Sequence, residues 1–98
     1  MDFEYTYILT ETAEARFIQI YDYIADNLSN ETAAKDLTDK FLAAIKNACI
    51  FPTMHPKYKN YRKITIGKFL IFYKISKARK QIIITNALYG AMDYDKYL

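Results

Sequence analysis

Apolar and polar residues alternate over residues 3–9 of this chain. Phe3, Tyr5, Tyr7 and Leu9 fall on one face and Glu4, Thr6 and Ile8 on the other, which is the period of a β-strand. The period then changes. Ala13, Phe17, Ile20, Tyr21, Ile24 and Leu28 recur at helical spacing. Thr10 stands where an N-cap belongs, and Glu11 and Glu14 lie near the positive end of the helix dipole. This predicts an amphipathic helix of about five turns. Asn27-Leu28-Ser29-Asn30 breaks it, and Ser29 or Asn30 can cap a second helix. Ala34, Leu37, Phe41, Ile45 and Ala48 continue at the same spacing, with Lys35, Asp36, Asp39, Lys40 and Lys46 on the polar side. So short a connection makes an antiparallel helical hairpin. Phe51-Pro52 ends it.

Residues 52–60, PTMHPKYKN, predict a polar loop with two prolines. Strand periodicity returns from Tyr61 to Ile66. Gly67-Lys68 suits a two-residue hairpin turn with glycine at its first central position. Phe69 to Ile75 is almost continuously apolar and predicts a central strand. Ser76 to Lys80 is a basic turn, Gln81 to Leu88 the last strand, and Gly90 opens a short tail, 91–98, with helical potential. The expected class is α+β in the order β-α-α-β-β-β. A helical hairpin packs on a mainly antiparallel four-stranded sheet, which the first strand must join to satisfy its backbone groups.

Composition narrows what such a fold can be. The 98 residues suit one domain, 1–98, and 52% are hydrophobic, enough for a core. Cys49 is the only cysteine, so no intrachain disulfide is possible, which points away from an oxidising compartment. Residues 1–9 do not form the apolar block of a secretory signal. Apolar runs such as Phe69–Tyr73 and Ile82–Ile84 are far too short to span a bilayer. A cytoplasmic location with no membrane partner is expected.

The overall charge is only +3, but it is unevenly placed. Residues 1–49 carry 4 Lys and Arg against 9 Asp and Glu, a net −5, while residues 50–98 carry 10 against 2, a net +8. Such a split predicts a positive face and an anionic partner, or an internal match between the halves.

Candidate chemistry is confined to the basic half. His55 and Cys49 are single residues of their kinds and too few for a zinc site, so no metal or other cofactor is expected. Gly67 and Gly90 are the only glycines, which excludes a glycine-rich phosphate loop. Lys57, Tyr58, Lys59, Tyr61, Arg62 and Lys63 cluster at the start of the second strand group, and Lys68, Lys74, Lys77, Arg79 and Lys80 follow in its turns and edges. Tyr89, Tyr94 and Tyr97 come after. Cations near phosphates give affinity, and tyrosine rings stack on unpaired bases. The same groups can stabilise a pentavalent phosphate and move protons. Tyr58 and Tyr61 can instead cap the core, and Tyr73 reads as core. Lys57, Lys59, Tyr61, Lys63 and Arg79 are the candidate target- or RNA-binding residues; Arg62 and Tyr89 are the candidate catalytic pair.

The run from Tyr61-Arg62-Lys63 through Gly67-Lys68 to Tyr73-Lys74-Ile75 resembles the central hairpin of the RelE/ParE toxin superfamily, with an arginine, a glycine turn and an apolar run ending in tyrosine. Thr10 followed by Ala13, Tyr23-Ile24, Ala33-Ala34, Phe51-Pro52 and the ending Leu88 to Tyr94 match in the same order. The resemblance implies the toxin of a type II toxin–antitoxin pair, associated with plasmid stabilisation and growth inhibition. Its partner would be a small antitoxin with an acidic tail, and it would reach operator DNA only through that antitoxin. Two activities occur in the superfamily: RelE-like members are metal-independent, ribosome-dependent mRNA interferases, and ParE-like members poison DNA gyrase. Here the arginine positions that nuclease members use hold Leu70, Ile71 and Met92, and Tyr89 replaces the usual histidine. These departures favour the gyrase-directed reading over the nuclease. An inactive descendant that only binds antitoxin is the third alternative.

Overall fold

The computed structural model describes residues 5–27, 29–90 and 96. The chain runs through β1 (Thr6–Leu9), α1 (Glu11–Asp22), a π-helical turn (Tyr23–Asn27), α2 (Glu31–Ile50), β2 (Lys57–Tyr58), β3 (Tyr61–Ile66), β4 (Phe69–Ser76) and β5 (Gln81–Tyr89). Phe3, Glu4 and Leu28 of the expected elements, and the expected tail apart from Lys96, lie outside the described residues.

Capping chemistry explains where the helices begin. Thr10 is extended, and its hydroxyl accepts from the Ala13 amide at 3.1 Å. The same hydroxyl donates to the Thr85 carbonyl at 3.2 Å, tying the start of α1 to β5. Of Ser29 and Asn30, it is Asn30 that caps α2: its side-chain oxygen accepts from the Ala33 amide at 2.9 Å. Ser29 supplies the reversal in a left-handed conformation, φ 50°. The periodicity predicts a single α-helix of about five turns, but the α-helical part ends at Asp22. After Asp22 the chain continues as the π-helical turn, Tyr23–Asn27, which carries the buried Ile24.

The sheet is ordered β1-β5-β4-β3-β2. β1 pairs parallel with β5, and every other pairing is antiparallel, so the sheet is mixed but mainly antiparallel. It has five strands rather than the expected four. The fifth, β2, forms inside the segment expected to be loop. Lys59 adopts φ 54°, which folds Tyr58 back beside Tyr61, and the Lys63 amide continues the pairing to the Pro56 carbonyl at 3.0 Å. Gly67 occupies the β3–β4 turn at φ 56°, as its position predicts.

The helices cover one face. Ala13, Phe41, Ile45, Ala48, Ile64, Ile71, Tyr73, Ile82, Ile84 and Ala87 form the core there. Phe17, Phe41 and Phe69 link α1, α2 and β4 through ring contacts of 5.3 and 5.9 Å. A smaller cluster lies on the opposite face, where Tyr58 and Tyr61 pack on Leu70, Phe72 and Leu88. β4 is therefore buried on both sides, which is why its sequence is continuously apolar rather than alternating. A bulge between Phe72 and Tyr73 leaves Thr85 unpaired opposite them, and its hydroxyl donates to the Phe72 carbonyl.

Because Thr10 both caps α1 and bridges to β5, Thr10→Ala should lower stability by about 1–2 kcal/mol in urea unfolding, with Thr10→Ser retaining most of it.

Candidate functional site

Register decides which basic residues meet. Lys57, Arg62, Tyr73 and Ile84 are successive cross-strand partners and so share the helix-covered face. Tyr58 and Tyr61 are partners on the opposite face, with Lys63 opposite Phe72 one step further along β3. Neighbouring residues of one basic segment therefore serve two surfaces.

On the opposite face an aromatic platform is surrounded by ammonium groups. The Tyr58 and Tyr61 rings lie 6.0 and 6.1 Å from Phe72. Lys59 and Lys63 place Nζ 5.6 and 5.4 Å from the Tyr58 ring, and Lys74 places it 4.9 Å from the Tyr61 ring. Each distance lies within cation–π range. A polar cleft of ≈ 300 Å³ opens at this end of the sheet, lined by Lys57, Lys59, Tyr61, Arg62, Tyr73 and Lys74 among others.

On the helix-covered face a clamp holds the segment between α2 and β2. The Tyr73 hydroxyl donates to the Pro52 carbonyl at 2.6 Å. The Arg62 guanidinium donates to the carbonyls of His55 at 2.7 Å and Thr53 at 3.3 Å. Burial pushes the Tyr73 phenol up to about 12, the Arg62 charge pulling the other way. It is thus a fixed neutral donor, not a base. The His55 ring stands edge-on to Tyr73 with centroids 6.2 Å apart, and its Nε2 is buried without a hydrogen-bond partner. Burial and the nearby Arg62 charge both lower its pKa from the usual 6.5.

The candidate residues are only partly gathered. Lys57, Lys59, Tyr61 and Arg62 line one cleft. Lys63 meets Lys59 over the Tyr58 ring, and Arg79 sits apart from the cleft in the β4–β5 turn, where its amide donates to the Ser76 hydroxyl at 3.3 Å. Tyr89 stands at the other end of the sheet, partnered with Phe69, their rings 5.8 Å apart. The register puts it about four residues of strand rise and two strand spacings from Arg62, roughly 17 Å between Cα atoms. Arg62 and Tyr89 therefore do not share a site. Leu70 and Ile71 are both buried in the sheet. Met92, Tyr94 and Tyr97 lie outside the described residues. Among the described residues no cluster of three or more His, Cys, Asp or Glu is placed to hold a metal ion.

The binding residues expected from the sequence do not include Tyr58, Lys74 or His55. The alternation Lys57-Tyr58-Lys59 was the available signal for the first, since it is the pattern of a short strand. Nothing local marks His55, whose ring is placed by the clamp.

With this geometry in place, the sequence matches the family model for the ParE toxin of the type II toxin–antitoxin system, parDE, over residues 7–94. The chain belongs to the ParE toxin family. Among curated proteins no sequence match is found. Similar solved structures include a chain of the chromosomal ParDE toxin–antitoxin system from P. aeruginosa (TM-score 0.72, 16% identity, 90% of this chain and 98% of that one). The RelBE2 toxin–antitoxin complex of Mycobacterium tuberculosis contains another (0.59, 11%, 88% and 98%). The intact RelBE complex of E. coli contains a third (0.56, 11%, 90% and 99%). At these identities the likeness is one of fold, and ParE and RelE chains share it. No helix among the described residues of this ParE-family chain is long and apolar enough to cross a membrane.

Because the fold holds His55 below its usual pKa, the unfolded chain binds the extra proton. The stability this contributes is complete above pH 6.5 and is lost as pH falls below it. Unfolding melts between pH 7.5 and 5 should show that loss, and His55→Gln should flatten it.

Proposed function

We propose that this chain is a growth-inhibiting toxin that acts in the cytoplasm on DNA gyrase, by binding rather than by cutting RNA, and that an antitoxin holds it inactive. The observation that carries this reading is the separation of the groups a nuclease would need together. Metal-free RNA cleavage requires a proton-transferring group and a cation converging on one phosphate. Arg62 is engaged by two backbone carbonyls, Tyr89 lies about 17 Å away by strand geometry, and Leu70 and Ile71 are buried hydrocarbons. The ParE family match agrees with it.

An antitoxin partner is supported by the similar structures, which belong to toxin–antitoxin systems or complexes. This chain offers such a partner an apolar groove of ≈ 320 Å³ between the helices and β1, lined by Tyr7, Leu9, Ile18, Tyr21, Phe41 and Leu42 among others. Tyr7, Leu9, Ile18, Tyr21 and Leu42 are exposed around it, a contiguous surface of the kind that marks protein contacts.

One observation favours the second reading, an mRNA interferase. The lysine-flanked Tyr58–Tyr61 platform has the chemistry of a single-strand binding surface. The two readings separate in one pair of assays on the purified protein. Gyrase poisoning predicts stalled supercoiling and broken DNA, with ribosome-bound mRNA intact. Cleaved mRNA with normal supercoiling would reverse the assignment, and Arg62→Ala should then abolish the cleavage.

A further inference from the structure

The clamp raises the question of what it holds. From Phe51 to Pro56 the chain between α2 and β2 has no regular structure, yet its backbone is tightly tied. The Phe51 amide donates to Asn47 at 2.9 Å, and the Met54 amide to Phe51 at 3.1 Å. Tyr73 secures the Pro52 carbonyl, and Arg62 secures those of Thr53 and His55. A phenol from the core and a guanidinium from β3 are both committed to this one segment. The side chains it displays are not folded inward. Phe51 is 60% exposed, Met54 55% and Ile50 43%. A loop that merely connected two elements would not need this rigidity, and its apolar side chains would gain by turning under. A rigid loop displaying an aromatic ring and a thioether loses little entropy when it docks, which is the property of an anchor.

The surroundings state the chemistry of the partner. No Asp or Glu occurs between Asp39 and Asp93 in the sequence. Lys46 lies one helical turn before Ile50, Lys57 follows the loop, and Arg62 lies beneath it. Ile50 and Lys46 also line a groove of ≈ 450 Å³ with Tyr5, Tyr7 and Cys49, which continues the surface towards β1. An apolar knob bordered by cations fits an apolar cleft rimmed by carboxylates. That is a protein surface, since a nucleic acid offers phosphates but no such cleft.

We propose that Phe51 and Met54, presented by the Tyr73–Arg62 clamp and flanked by Ile50, are the anchor by which this toxin grips its protein target. The assignment rests on the gyrase reading above. It adds which residues make the contact and separates that contact from the inter-helix groove offered to an antitoxin.

The test is direct binding of the purified chain to DNA gyrase. Wild type should bind, and a failure to bind would end the gyrase reading and this inference with it. Given binding, the double variant Phe51→Ser, Met54→Ser should weaken affinity at least tenfold with an unchanged thermal melt, since both side chains face solvent. Phe51→Leu should recover part of the loss. Tyr23→Ser, at an equally exposed position on the π-helical turn, should bind as wild type. Equal affinity of the double variant, or equal loss in Tyr23→Ser, would overturn the anchor while leaving the gyrase reading intact.

Discussion

A tyrosine in the middle of a hydrophobic core must find an acceptor for its hydroxyl. Tyr73 sits on the central strand with no exposed surface, and the acceptor it reaches is the carbonyl of Pro52, at 2.6 Å. An unmade hydrogen bond at such a position costs about 1–3 kcal/mol. The bond therefore dictates where α2 may end relative to the sheet. With Pro52 pinned, the following residues come within reach of Arg62, which closes on Thr53 and His55. Once these are held, the chain arrives beside β3 in the register that makes β2. The helical hairpin, the basic edge of the sheet and the segment between them are thus positioned by one buried polar group.

The charge asymmetry acquires a different sense in three dimensions. Helix-rich residues 1–49 hold most of the acids, and the sheet-rich second half holds most of the bases. The two helices lie on one face of the sheet, while Lys59, Lys63 and Lys74 gather around two tyrosines on the other. The lysines are not dispersed as solvated points of charge. Their ammonium groups lie over aromatic rings that are themselves packed on Phe72, Leu70 and Leu88. Fields of this kind favour an anionic partner at longer range, while contact is decided by what the rings and apolar side chains can fit.

Sharing a fold does not settle the activity. The P. aeruginosa ParDE chain and the two RelBE chains superpose on one architecture at identities of 16% and 11%. Here the strand interior that follows the glycine turn is hydrocarbon because β4 is covered on both faces, so cations at Leu70 or Ile71 would have to be buried. The positive charge is displaced to the edge, around β2 and the start of β3.

Element identity, order and most boundaries were legible in the sequence, because amphipathic period, caps and glycine turns act over a few residues. Thr10, Asn30 and Gly67 do in the structure what their local chemistry predicts. The central place of Phe69–Ser76 was also readable, since a strand covered on both faces cannot alternate. Two local features escaped. β2 is two residues long and exists only because β3 lies beside it, and the π-helical turn interrupts an apolar period that runs on unchanged. Of the candidate site, the sequence by itself determined the cations and tyrosines and the segment that carries them. Tertiary structure alone decided their grouping. Pairing register sends Arg62 to one face and Tyr61 and Lys63 to the other, and strand length sets Tyr89 apart from them all. Register is a relation between distant segments, and no local pattern encodes it.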